Sequence, residues 1–497
     1  MIPPHADLQA LRRHALEIFS SALKAVDAKA ALQRKVHLSG DRLTVFDTTY
    51  NLNTHGAHVY AVAIGKAAVA MAAALDEILG GRLTAGIVAA PSQVEGKVDS
   101  LLQQLVSVGQ VSEEEARTKM FREVVRSAVE HGEQRALQNP LALSTRWKVF
   151  AGGHPLPDKG SLEAARAAVN LVRRAEAERA LLIFLISGGG SAIFELPRDA
   201  SLTLEDLRAA NRALVLCGAT IAEVNSVRRA FSAVKGGRLS ALAPHAEQVC
   251  LIVSDTNPGE EYAVASGPTF EPPLDAPDPH EVISRYHLEK NLTPSILSVI
   301  SAARDEERKP VGFHVRHHLL MDNRSAIEAA RQAAHARGLV VELAPDIIEQ
   351  PIAEGCAQLL SRLYAARAEN SGQAFCLISG GEFACPVRGQ GTGGRNAETV
   401  LRCAIDLDER RSQAADRREP AHTVILSAGT DGIDGNSPAA GAIADETSIE
   451  RARQHGLDAR TMLEQSDAYT FFRALNDTII TGATGTNVRD LRIMLAL

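Results

Sequence analysis

Two apolar strands, each running straight into Ser-Gly-Gly, lie in opposite halves of the chain and constrain its fold more than any other feature. Residues 181–186 read Leu-Leu-Ile-Phe-Leu-Ile and precede Ser187-Gly188-Gly189-Gly190-Ser191; later, Leu377-Ile378 precedes Ser379-Gly380-Gly381. A continuous apolar run closed by a turn signal fits a strand covered on both faces, as in a parallel sheet. Ligands of open α/β sheets sit at the carboxyl ends of such strands. Two α/β lobes whose strand ends face one cleft are therefore expected.

Length agrees, because 497 residues exceed what one ordinary core holds. A strand at 59–64, the turn Gly65-Lys66, an Ala-rich helix to Leu79 and a strand at 85–90 give the βαβ rhythm of a doubly wound sheet. It resumes with a strand at 147–150, a helix at 161–176 and the 181–186 strand. Helices at 204–216 and 219–234 follow, then a strand at 249–253. We place the N-terminal domain at 1–308 and the C-terminal domain at 314–497, opening with the strand at 318–321. Residues 91–146, charged and Gln-rich with a helical period at 112–134, read as a surface insertion. The stretch 271–309 reads as a linker with short helices, and the Arg/Asp-rich run 408–419 as a solvated loop.

Aromatic residues make up only 4%, so the cores must rest on Ala, Leu, Val and Ile. The net charge of -7 supplies no broad basic face, which argues against nucleic-acid or anionic-membrane partners. The six cysteines form no Cys-x-x-Cys pair and read as buried thiols. No apolar stretch is long enough for a membrane span, and residues 1–17 lack a signal core. A cytoplasmic protein is expected, and a homodimer is compatible with the sequence.

The densest chemistry lies at Gly389-Gln-Gly391-Thr-Gly393-Gly394-Arg395-Asn396, ahead of a helical run at 397–407. Such glycines leave amides bare to face an anion. A helix start adds unpaired N–H groups, and Arg395 adds a planar charged fork. A loop that holds negative charge is expected. It also matches Gly-x-Gly-x-x-Gly, but the segment before it contains Pro386 and no acidic strand end follows, so a nicotinamide site is not expected. No Walker motif occurs, which excludes a P-loop NTPase.

Lys66 should project from its βα turn as a point charge suited to a transferring phosphoryl group. A surface lysine near a helix end is the plainer alternative. Asp255, Asp431 and Asp434 each follow a buried strand in a Gly- or Pro-containing turn. Carboxylates there can hold Mg²⁺ or take a proton from a hydroxyl; they can equally cap their own backbone. Asn225 and Arg228 are neighbours on the 219–234 helix, with Lys235 at its end, where the helix dipole alone would explain it. His154, and His314 with His317 and His318, are read as structural.

These segments resemble the class II glycerate kinase family. The likeness is carried by Ile64-Gly-Lys-Ala-Ala68, Gly153-His-Pro-Leu-Pro-Asp158, Ile186-Ser-Gly-Gly-Gly-Ser-Ala192, Asn225-Ser-Val-Arg228 and Lys235-Gly-Gly-Arg-Leu239. It continues through Ser254-Asp255, Ala265-Ser-Gly-Pro-Thr269, the loop 391–398, Gly429-Thr-Asp-Gly-Ile-Asp-Gly435 and Thr484-Gly-Thr-Asn-Val488, in the family's order. The resemblance implies a Rossmann-like parallel sheet in the N-terminal domain and a smaller, mixed-sheet C-terminal domain of the MOFRL type. It implies Mg²⁺- and ATP-dependent phosphorylation of D-glycerate, giving 2-phosphoglycerate in most members. Lys66, Arg395 and Asp431 match family positions taken as catalytic. The Ser187, Gly188, Gly189, Gly190, Ser191 turn and Asn225, Arg228, Lys235, Gly391, Gly393, Gly394, Asn396 and Asp434 are the expected substrate- or nucleotide-binding set, with Asp255 for metal. This chain has Gly381-Glu-Phe-Ala384 where the family has Gly-Glu-Thr-Thr, and an extra Asn257 in the Asp255 turn. Two rivals are an NAD(P)H-dependent hydroxypyruvate reductase, the family's other label, and a non-catalytic sugar-phosphate-binding module.

Overall fold

A computed structural model describes residues 8–55, 58–91, 143–303, 314–370, 372–413 and 422–497. The expected insertion helix at 112–134 and the end of the 408–419 run lie outside the described residues. The beginning of that run is not a loop. It continues the helix Arg395–Gln413, with Arg410 paired to Asp406 one turn back.

Strands β1 (Val36–Ser39), β2 (Arg42–Val45) and β3 (Thr48–Asn51) form a small antiparallel meander. Each strand is four residues long, too short for alternation to announce it. The main sheet is six-stranded and parallel. Its order is β6 (Trp147–Gly152), β5 (Ala85–Pro91), β4 (Val59–Ile64), β7 (Leu181–Ser187), β8 (Glu247–Val253), β9 (Val315–Met321). Every residue of β4 and β7 is buried, as unbroken apolar runs require. Tyr60, Val62, Leu182 and Phe184 pack with Ala164, Ala168 and Val172 of the helix Lys159–Ala177. The alanines let the helix approach the sheet closely. Each large apolar side chain so buried contributes about 1.5–3 kcal/mol. Asp158 begins that helix by accepting from the Ser161 amide at 2.8 Å.

Strand β9 adds to this sheet beside β8, whereas residues 318–321 were expected to open the second domain. The second sheet has the order β10 (Val340–Leu343), β11 (Phe375–Gly381), β15 (Asp490–Ala496), β12 (Thr423–Gly429), β13 (Gly441–Asp445), β14 (Thr478–Ile479). Only β10 and β11 run parallel in it; β15 is antiparallel to both neighbours. The first residue of β15 therefore sits at the carboxyl ends of β11 and β12. Just past β11, Ala384 forms an isolated bridge with Pro351.

The compact units also divide the chain differently from the expected 308/314 boundary. One joins the N-terminal segment up to Ala31, Val253–Pro258 and Leu320–Leu497; the other holds Leu32–Ile252 and Gly259–Leu319. The N-terminal helix Leu8–Ala25 belongs to the first. Its Leu11, Ala15, Ile18 and Ala22 are buried with Ile378, Leu426 and Ile493. Arg12 on its polar side pairs with Asp445 and Asp477.

The expected 219–234 helix stops at Phe231, and Ser232 is extended. Asn225 and Arg228 lie on that helix; Lys235 lies past its end. The Lys235 ammonium is fully buried against the Glu195 carboxylate, which also accepts from the Ser232 hydroxyl at 2.6 Å. Burial pulls its pKa below the usual lysine value, against the pull of Glu195. An ammonium so enclosed serves as a counter-ion within the core. Lys235→Met should therefore cost about 3–5 kcal/mol, because it strands the Glu195 charge. Adding Glu195→Gln should recover most of the loss in a urea unfolding experiment. A single variant as stable as the wild type would refute the structural assignment.

Candidate active site

In the unit that carries the parallel sheet, two βα turns meet because β4 and β7 are neighbours. The Ser187 hydroxyl donates to the Ile64 carbonyl at 3.1 Å and accepts the Ala67 amide at 3.0 Å; the Lys66 amide donates to the Gly188 carbonyl at 2.9 Å. Gly65 adopts φ +109, and a side chain there would collide with the Ser187 carbonyl. Gly189, at φ +80, leaves room for the aliphatic stem of Lys66, which would lie 3.1 Å from an added Cβ. Ser191 and Ser266 share a hydrogen bond of 2.8 Å, and Ser266 donates to the Asn225 side chain at 2.8 Å. Lys66, the turn Ser187–Ser191 and Asn225 thus form one connected group. Arg228 is buried behind it, donating to the Asn211 side chain at 3.1 Å. Burial lowers its pKa to about 10, opposed by Glu195.

In the other unit the glycine-rich loop differs from expectation. Three of its central amides are not bare. Gly391 donates to the Gln465 carbonyl, Thr392 to the Asp467 carboxylate and Gly393 to the Asn436 side chain, at 2.8–2.9 Å. The Asp434 carboxylate accepts the Asn396 and Ala397 amides at 2.9 and 2.8 Å, capping the helix Arg395–Gln413 from a distant turn. A side chain at Gly394 would collide with that carboxylate. Burial pushes the Asp434 carboxyl up to about 6, although both amides pull it down. The expected anion nest is real, but a carboxylate of the protein fills it. Asp434 is occupied as a cap on both oxygens.

What the loop presents instead is Arg395, in the first turn of that helix. Its Nε and Nη2 donate to Asp490 at 2.5 and 3.2 Å, and Nη2 lies 2.7 Å from Glu382. Burial works against the guanidinium charge, yet the two carboxylates outweigh it and hold the pKa above its ordinary value. Asp490 also accepts from the Asn396 amide side chain at 2.9 Å, and the Ser427 hydroxyl donates to the other end of Asn396 at 2.6 Å. Glu382 keeps about a third of its side chain accessible (32%). Burial by its surroundings nevertheless pushes its carboxyl up to about 7; Arg395 and Arg489 oppose the rise, and Asp490 and Asp255 add to it. Asp431 completes the group. Its Oδ1 would lie 3.1 Å from a Cβ placed on Gly429, with Asp490 Oδ1 at 3.5 Å from the same point.

Of the expected site residues, Lys66, the turn Ser187–Ser191 and Asn225 form one connected group and Arg395, Asn396, Asp431 and Asp434 another, one per unit, while Lys235 pairs with Glu195 in the core. Sequence reasoning missed Glu382 and Asp490. An acid that opens the apolar strand Asp490–Ala496 was the available signal for Asp490. The extra Asn257 has a partner too, accepting from Arg489, which also pairs with Glu349. Among the described residues no group of three or more His, Cys, Asp or Glu is arranged to hold a metal ion. No described helix is long and apolar enough to cross a membrane.

Comparison with known proteins accounts for nearly the whole chain. Residues 14–301 match the family described as a domain of unknown function (DUF4147), and residues 375–490 match the MOFRL family. The glycerate kinase of Rattus norvegicus is 32% identical over 99% of this chain and 95% of its own length. A protein of Agrobacterium vitis named, provisionally, hydroxypyruvate reductase is 38% identical over 71% of this chain and 89% of its own. The D-glycerate 2-kinase of Thermotoga maritima is 28% identical over 98% of this chain and 99% of its own. A crystal structure of glycerate kinase from Thermotoga maritima superposes with a TM-score of 0.72 at 26% identity, covering 98% of this chain and 100% of that one. With a family match over more than half its length and a 32% identical relative aligned almost end to end, the chain belongs to the class II glycerate kinase family.

Proposed function

We propose that this protein transfers the γ-phosphoryl group of ATP to the 2-hydroxyl of D-glycerate, giving 2-phosphoglycerate and ADP. The observation that carries the proposal is the near end-to-end match to glycerate kinases, with Lys66 just past the buried strand β4 and Arg395 opening a helix and paired to Asp490 at the start of β15. In this reaction the glycerate oxygen bonds to the γ-phosphorus and the bond to the β,γ-bridging oxygen breaks. The hydroxyl proton passes to a carboxylate. Asp431 is the group we assign to it: Asp434 accepts amides on both oxygens as a helix cap, whereas the amide of Ile433 meets Asp431 at Oδ1.

Phosphoryl transfer needs positioning and charge compensation more than covalent chemistry. Lys66 in one unit and Arg395 in the other each offer a positive charge suited to phosphate, and the turn Ser187–Ser191 with Asn225 binds one of the two substrates. Mg²⁺ borne by a nucleotide asks one or two carboxylates of its protein, so the residues present fit it. Asp255, near enough to Glu382 to raise its pKa, is the one we assign; bound Mg²⁺ would neutralise phosphate charge. The loop 391–396 acts as scaffold for Arg395, since its amides at 391, 392, 393 and 396 are occupied. The same occupancy weighs against a dinucleotide pyrophosphate at the helix start, hence against the reductase alternative.

Incubation with ATP, Mg²⁺ and D-glycerate should yield a phosphomonoester on carbon 2 by phosphorus NMR. A product on carbon 3 would overturn the regiochemistry, and NADH oxidation with hydroxypyruvate but no ATP turnover would overturn the kinase. Arg395→Lys loses the bidentate fork, and Lys66→Ala loses a charge. Each should lower kcat by about 10²–10³-fold with the fold intact by circular dichroism.

The Glu382 carboxyl, raised to about 7, is mostly protonated below that pH and ionised above it. Only the ionised form pairs fully with Arg395. For the wild type, kcat/KM should therefore climb as pH passes through about 7, and Glu382→Gln should remove that limb. An unchanged limb in the variant would assign it to another group.

A further inference from the structure

We infer that Asp490 is a positioning residue of this site, holding the Arg395 fork in register with the phosphoryl group it meets. The inference rests on the glycerate kinase assignment above. Three observations converge on it.

Asp490 is 1% exposed and opens β15, directly opposite Gly381 on one side and Gly429 on the other. Both flanking positions lack side chains, so the carboxylate is approached from the helix that begins at Arg395. That approach is used fully. Asp490 takes the Nε and Nη2 edge of the guanidinium. Two parallel donors to one carboxylate fix both the direction and the roll of the planar group. Among the described residues no hydrogen bond engages Nη1, so that side of the fork remains for an incoming anion.

Asp490 is also tied to the fold around it. Its Oδ1 accepts from Asn396, and Asn396 in turn accepts from Ser427 on β12. Helix start, central strand and neighbouring strand are thereby joined through one buried carboxylate. Glu382 holds Nη2 from the exposed side. It lies on the residue after β11 and stays partly exposed, whereas Asp490 is packed among strand ends. The arginine thus has one buried partner behind it and one partly exposed partner in front.

A double-mutant cycle tests this, using wild type, Asp490→Asn, Arg395→Ala and the double variant of the full chain. Steady-state kcat and KM would be measured with ATP, Mg²⁺ and D-glycerate. We expect Asp490→Asn to lower kcat by about 10²-fold, a loss typical of a misplaced catalytic group. In the Arg395→Ala background the same change should cost less than about threefold. Added guanidinium ion should restore activity to Arg395→Ala but not to the double variant, since its seat is the Asp490 carboxylate. Equal losses in both backgrounds, or guanidinium rescue of both, would overturn the inference. Should Asp490→Asn fail to fold, Asp490→Glu keeps the charge and moves it by one methylene; we expect the same kcat loss with an unchanged KM for ATP, and wild-type kcat would count against us. If the wild type does not phosphorylate D-glycerate, the kinase assignment fails instead. Calorimetric titration of the four proteins with pyrophosphate then decides the positioning role: non-additive losses in affinity support it, additive ones refute it.

Discussion

The carboxylate of Asp434, set against the first amides of the helix Arg395–Gln413, is the contact on which the C-terminal site depends. A helix start offers several unpaired N–H groups and the positive end of a dipole, and something negative must answer them. Here a turn 38 residues further along the chain supplies the answer. The consequence is positional. With Asp434 filling the helix start, Arg395 leaves the helix toward Asp490 and Glu382, and Asn396 turns inward to join Asp490 and Ser427. Glycine at 394 is the local condition, because any side chain there would displace the carboxylate.

The two units solve the same problem with opposite means. In the parallel-sheet unit, the strand ends at Ile64 and Ser187 are laced together by a serine hydroxyl and backbone amides, and the cation is a lysine on a flexible stem. In the other unit, an arginine is clamped by carboxylates. A compact ammonium can follow a phosphoryl group as it moves, while a clamped guanidinium marks a fixed point. A kinase that must both bind and release a charged group has use for one of each.

Much of this was legible locally. The runs 59–64 and 181–186 are apolar without interruption, short and closed by glycine turns, which fits strands buried on both faces. The motif at Gly389 to Asn396 announced a helix start with a demand for negative charge. What could not be read was who would meet the demand. Asp434 looked like a turn residue or a base, and its capping role depends on a partner outside any local window. Asp490 and Arg395 are 95 positions apart, and their pairing follows from β15 being inserted between β11 and β12. The meander at 36–51 escaped notice for a different reason: four-residue strands leave too few alternations to tell from a loop. Lys235 misled because a lysine after a helix normally faces water, and nothing nearby in the chain announces Glu195 as its buried partner.

Strand order in the second sheet has a consequence for how the protein is made. Strands β11 and β12 never touch; β15 lies between them. While the ribosome is still translating, each of these strands has an unsatisfied edge facing the other, and the N-terminal helix Leu8–Ala25 lacks most of the apolar surface it will cover. Completion of residues 490–496 supplies the missing middle piece at once. Until then the earlier residues must keep a hydrophobic helix and two open strand edges from finding wrong partners, so this unit closes after the parallel sheet, which can assemble as soon as β9 emerges.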